Sequence, residues 1–136
     1  MRMIITVTGI VFAVLIAVLM LTNQPPQNAP DQQQTAQMQI PTLTGAAVMG
    51  KTFFDAKCAL CHGANASGTE NGPPLVHIIY EPNHHGDESF LRAASQGVRA
   101  HHWQFGDMPP VEGITQGEVK QIIAYVRSLQ RANGIY

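Results

Sequence analysis

The chain opens on a hydrophobic block and continues through a polar one. From Met3 to Leu21 no side chain carries a charge, and a run of that length, at about 1.5 Å per residue, reaches across a hydrocarbon core of roughly 30 Å. The run is longer than the apolar region of a secretory leader, and the segment after it, TNQPPQNAP, offers no small-x-small cleavage site. The pattern therefore predicts an uncleaved transmembrane anchor over residues 1–22. Arg2 is the only nearby cation and precedes the run, so the positive-inside tendency leaves the N-terminus in the cytoplasm and exports everything after residue 22. This predicts a single-pass protein of the inner (cytoplasmic) membrane with its remainder on the periplasmic or outer face. Residues 23–43 are Gln, Pro and Asn with few large apolar groups, too few to offset the entropy of ordering. They read as a linker that spans at most about 70 Å and averages nearer 25 Å as a flexible coil.

Periodicity changes at residue 44. Over 44–136 it predicts three helices and no confident strand, an all-α domain. The first helix runs from about Gly45 to Cys58, with Val48, Phe53 and Phe54 as its large apolar groups and Gly50 as a place for close backbone approach. The second follows Asp87, expected as its N-cap, and stops at Gly97. The third opens on the capping box Thr115-Gln-Gly-Glu118, presents Val119, Ile122, Ile123, Tyr125, Val126 and Leu129 on one face, and closes at Asn133-Gly134. Two long connections remain, 63–86 and 98–114. So small a domain buries little side-chain surface of its own, so a large apolar group enclosed by these loops would supply the missing core.

Charge narrows the partners. The 136 residues carry a net charge of -1, which excludes a strongly basic nucleic-acid binder. No acid/base pair, activated nucleophile or phosphate-binding glycine loop is evident. The chemistry concentrates instead in Cys58-Ala-Leu-Cys61-His62, which holds both cysteines of the chain. A redox dithiol belongs beside a βαβ pattern, whereas here a helix precedes and a Gly-rich loop follows. A structural zinc site needs four ligands, and the other histidines do not stand at finger spacing. Covalent attachment of a c-type haem requires two thiols on one helical turn and an imidazole immediately after, which this segment supplies. The opposite axial ligand could come from Met108 or from His77, His84, His85, His101 or His102. Met108 in Gly-Asp-Met-Pro-Pro is the best suited, because two prolines stiffen its loop and a thioether raises the reduction potential.

With GKTFFDAKCALCH at 50–62, GPPL at 72–75, GDMPP at 106–110 and IIAYVRSL at 122–129, the chain resembles the class I monohaem cytochromes c over the whole of 44–134. The resemblance implies a cytochrome c-like fold around one covalent haem c. It implies that Gly50 and Phe54 cross the last helix near Ile122, Tyr125 and Val126. It also implies that the Pro73 carbonyl accepts the Nδ1 hydrogen of His62; the Trp103 indole N–H either reaches a haem propionate, as a tryptophan does in some members, or packs with its N–H to water or backbone. The electron donor would be a quinol-oxidising complex and the acceptor a terminal oxidase or periplasmic reductase. Over residues 44–136 seven Lys/Arg face eight Asp/Glu, so docking is expected to be largely apolar.

The chain departs from the family in VHIIYEPNHH and RAHHW, which place five histidines between 77 and 102. These are either exposed loop residues or a second metal site. If the loops are extended, neighbouring histidines point apart, and His77, one of His84/His85 and one of His101/His102 would form a three-imidazole site for copper or zinc. Three functions follow: a membrane-tethered electron carrier, a haem-linked copper-handling protein, or a sensor or enzyme with an open iron site. The first is favoured, since the third leaves GDMPP without a purpose.

Overall fold

The computed structural model describes residues 38–136; the anchor expected at 1–22 and most of the linker lie outside the described residues. Among the described residues no helix is long and apolar enough to cross a membrane. Among the described residues four α-helices follow one another: α1 (Ala46–Lys57), α2 (Ala59–His62), α3 (Asp87–Gln96) and α4 (Gln116–Ala132). Single 3-10 turns at Ala64–Ala66 and Ile78–Tyr80 punctuate the first long connection. Extended pairing among the described residues is limited to two isolated bridges, Thr69 with Gly72 and Val98 with Met108.

The core is the crossing of α1 over α4. The face that α1 buries is Ala47, Gly50 and Phe54, at helical spacing, and Val48, expected in the core, is half exposed. Small residues win those positions because the two backbones meet there: a Cβ on Gly50 would overlap the Gln121 carbonyl oxygen and crowd the Tyr125 Cβ. Phe54 and Tyr125, both fully buried, pack with ring centroids 5.5 Å apart. The capping box of α4 forms as its sequence requires, with Thr115 Oγ1 accepting the Glu118 N–H at 3.2 Å and the Glu118 carboxylate accepting the Thr115 N–H at 2.7 Å.

Two expected boundaries move. Residues 39–43, expected in the linker, are tied to the domain: Gln39 N–H donates to Asn133 Oδ1 and Asn133 Nδ2 donates back to the Gln39 carbonyl, both at 2.9 Å, while Leu43 packs on the core. The N-cap of α3 is Gly86 rather than Asp87, because the Asp87 carboxylate is engaged by Arg127.

Arg127 and Gln130 lie buried on the inner face of α4, among residues the hydrophobic pattern assigns to the core. Arg127 donates from Nη1 to the Tyr80 carbonyl at 2.7 Å and to Gln130 Oε1 at 2.6 Å, from Nη2 to the His85 carbonyl, and from Nε to Asp87 Oδ1 at 2.9 Å. Gln130 Nε2 donates to the carbonyls of Leu75 and Tyr80 at 2.8 and 3.0 Å. A loop without secondary-structure bonds of its own must find partners for its buried backbone groups. These two side chains supply them and fasten 75–87 to α4.

Candidate functional site

The thiols are placed by a break in the helix. The α1 ladder ends as Cys58 N–H donates to the Phe54 carbonyl at 2.8 Å, and the Cys58 carbonyl then accepts from Cys61 N–H at 3.1 Å and His62 N–H at 2.9 Å. That single turn, α2 with Cys58 as its N-cap, brings Cys58, Cys61 and His62 close together. The chain next doubles back beneath them: Gly68 N–H donates to the His62 carbonyl at 2.6 Å, and Thr69 Oγ1 donates to the Cys61 carbonyl at 2.6 Å. The fold-back brings the Pro73 carbonyl to 2.9 Å from His62 Nδ1. Since a carbonyl only accepts, Nδ1 holds the proton and Nε2 keeps its lone pair. Burial lowers the His62 pKa, with the Pro73 bond opposing it, a shift that favours the neutral ring a metal ligand needs.

Burial, followed by the nearby Cys61, pushes the Cys58 thiol up to about 11. A redox dithiol needs the opposite shift, toward a stable thiolate. The thiol chemistry thus disfavours that reading of the motif.

Met108 comes from the far connection and is held by backbone. Its N–H and carbonyl both pair with Val98 at 2.9 Å, and Val111 N–H ties the following residues to the Ala94 carbonyl at 2.8 Å. Gly97, with φ +77°, permits this approach, because a Cβ there would overlap the Met108 carbonyl. Cys58, Cys61, His62, Pro73, Trp103 and Met108 all line one largely apolar cavity of about 800 Å³. Trp103 Nε1 is buried on its wall with no acceptor in good hydrogen-bond geometry, although it faces the Tyr80 hydroxyl, whose pKa burial raises and this approach of the indole N–H opposes.

The five remaining histidines separate into two groups. His77 is spent locally: its Nδ1 accepts the Ile79 N–H at 3.2 Å and its ring meets the edge of Trp103 at 5.0 Å. His84, His85 and His102 converge, with one donor atom from each lying within 4.8 Å of the others. The expected set of His77 plus one member of each pair is therefore corrected to His84, His85 and His102. The cause is the backbone: the N–H groups of both His84 and His85 donate to the Glu81 carbonyl, at 3.1 and 2.8 Å, so the segment turns rather than extends and both side chains reach one cluster. His101 stands beside it, its Nδ1 donating to the Arg99 carbonyl at 2.8 Å. Burial and then the neighbouring His101, His85 and His84 lower the His102 pKa.

Comparison with known families places these features together. Residues 47–130 match the family described as Cytochrome c. The chain belongs to the cytochrome c family. Over 89 residues, 64% of this cytochrome, it is 33% identical to the cbb3-type cytochrome c oxidase subunit CcoP of Rubrivivax gelatinosus, of which it spans 27%. Over 98 residues, 63% of its length, it is 29% identical to cytochrome c-554(547) of Halothiobacillus neapolitanus and spans 99% of that protein. No solved structure gives a significant match.

Membership implies one covalent haem c. The residues present fit it: two thiols and an imidazole on one turn, a thioether held on a fixed backbone, an apolar cavity that contains them all, and a buried indole N–H that still needs an acceptor. Asn65 belongs to this framework too, although the sequence reading does not single it out. Its left-handed backbone (φ 54°) and its Oδ1, which accepts the Tyr125 hydroxyl at 3.0 Å, secure the loop after His62 to α4. Asparagine in a short loop straight after the motif is the only signal that points to it.

Proposed function

We propose that the protein is an electron carrier, with residues 1–22 tethering its cytochrome domain to the outer face of the cytoplasmic membrane. Its haem, when bound, supplies reversible one-electron transfer at iron. Cys58 and Cys61 would hold that group covalently, His62 Nε2 and the Met108 thioether would ligate its iron, and Trp103 Nε1 would donate to one of its carboxylates. The observation that carries the reading is the convergence of both thiols, His62 and Met108 on one apolar cavity. The chain's contribution is rigidity. Pro73 fixes the His62 ring and Val98 fixes the Met108 backbone, so neither ligand needs to move when the charge on the metal changes. The likeness to a cytochrome c oxidase subunit supports a terminal oxidase as the acceptor; a quinol-oxidising complex is the donor assigned in this reading, and a periplasmic reductase the other acceptor. The tether would raise the local concentration of the domain near such membrane partners.

Met108→Ala tests the ligand set. The oxidised wild-type protein should show a near-infrared sulfur-to-iron band that the variant lacks, and the variant's potential should fall by on the order of 100 mV, well within the range that axial ligands command. A band that survives the substitution would remove Met108 from the iron.

A further inference from the structure

We propose that His84, His85 and His102 form a second metal site, specific for copper, at the wall of the haem cavity. None of the three is needed for the haem attachment proposed above, and the site is independent of that reading. Two neighbouring nitrogens bound to one ion at about 2.0–2.1 Å lie roughly 2.9 Å apart in a tetragonal site and roughly 3.3 Å apart in a tetrahedral one. His84 Nε2 and His102 Nε2 already stand 3.2 Å apart. They come from different loops, 18 positions apart in sequence, so the approach is built by the fold rather than by neighbouring residues.

The third ring is oriented by a partner of its own. His85 Nδ1 lies 2.6 Å from the Ile79 carbonyl, so Nδ1 carries the proton and the lone pair sits on Nε2. This is how ligating imidazoles are commonly fixed. The His85 backbone is held in turn through its carbonyl by Arg127, a side chain buried in α4. The chain therefore supplies three preplaced imidazoles, two of them on exposed residues that an ion from solvent can reach, and a fourth position is left to water. Imidazole donors select copper, zinc and nickel, and among divalent ions of the series copper binds most tightly. The same three residues line the cavity together with Met108 and Trp103, so an ion there would clasp the loop carrying His84 and His85 to the segment leading into Met108.

The test is titration of the purified, haem-loaded protein with Cu(II) and, separately, Zn(II), followed by calorimetry and electron paramagnetic resonance. The wild type should take up one Cu(II) with a Kd below about 1 μM, bind Zn(II) more weakly, show nitrogen hyperfine structure from three imidazoles, and unfold at a higher temperature with the metal than without it. His102→Ala should weaken binding at least about a hundredfold. His101→Ala and His77→Ala should each change it less than about tenfold. The proposal is overturned by a wild-type Kd weaker than about 10 μM, or by equal losses in the His101 and His102 variants, which would mark diffuse surface binding. It is equally overturned if no metal is taken up while His102→Ala alters the pH dependence of the reduction potential, since the ring then serves the cofactor's carboxylates.

Discussion

Gly50→Ala is expected to destabilise the domain by at least about 4 kcal/mol. Overpacking that side chains can absorb costs about 1–3 kcal/mol, but the new methyl group would meet the Gln121 backbone carbonyl, which cannot rotate away without breaking α4. The α1–α4 crossing would have to open, and Phe54, Tyr125 and Val126, all fully buried, lie along it. At a slope of about 1–3 kcal/mol per molar urea, the unfolding midpoint of the haem-loaded variant should fall by roughly 1.3 M or more, or no folded protein should be recovered. A loss below about 1 kcal/mol would mean that the helices do not approach at Gly50.

Arg127→Met comes next in size. Methionine keeps an apolar stem of similar length, so the change removes the guanidinium while leaving much of the packing in place. The His85 carbonyl and Gln130 Oε1 lose their donor, whereas the Tyr80 carbonyl keeps Gln130 Nε2. An acceptor left buried and unpaired costs about 1–3 kcal/mol, which sets the expected loss near 3 kcal/mol. The Asp87 pair adds little, because that carboxylate side chain is 63% exposed. Arg127→Lys should recover less than half of the loss, since a single ammonium cannot replace the fork. Amide hydrogen exchange gives a local readout: His84 and His85 N–H should exchange faster in the methionine variant, while the capping-box amides at Thr115 and Glu118 keep their protection. Equal stability of variant and wild type would remove Arg127 as the fastening of the loop.

Features of the site that depend on short spacing along the chain are legible in the sequence itself. The motif at 58–62 can place its thiols and imidazole only on one turn, and a capping box followed by an apolar face fixes the last helix without tertiary information. Met108 stands out because Pro109 and Pro110 mark a stiff loop, although its pairing with Val98 is a tertiary fact. Arg127 and Gln130 escape a reading of the sequence for a definite reason. Hydrophobic periodicity assigns a face and not its partners, and three of the four acceptors of the buried guanidinium lie 40 to 47 positions away. Val48 misleads for a related reason: size suggests burial, but the helix crossing selects small residues. The histidines are visible as a cluster, yet which three converge depends on a turn at 81–85 that composition does not reveal.

The electron-transfer role depends on Cys58 and Cys61 binding one haem covalently inside the cavity. That attachment is read from the mass of the protein, expressed in a host that exports it and attaches haem, after denaturation in the presence of an alkylating agent. A polypeptide heavier by one haem, with neither cysteine alkylated, is the expected result. A folded helical protein that releases a bare polypeptide with both thiols alkylated would contradict it.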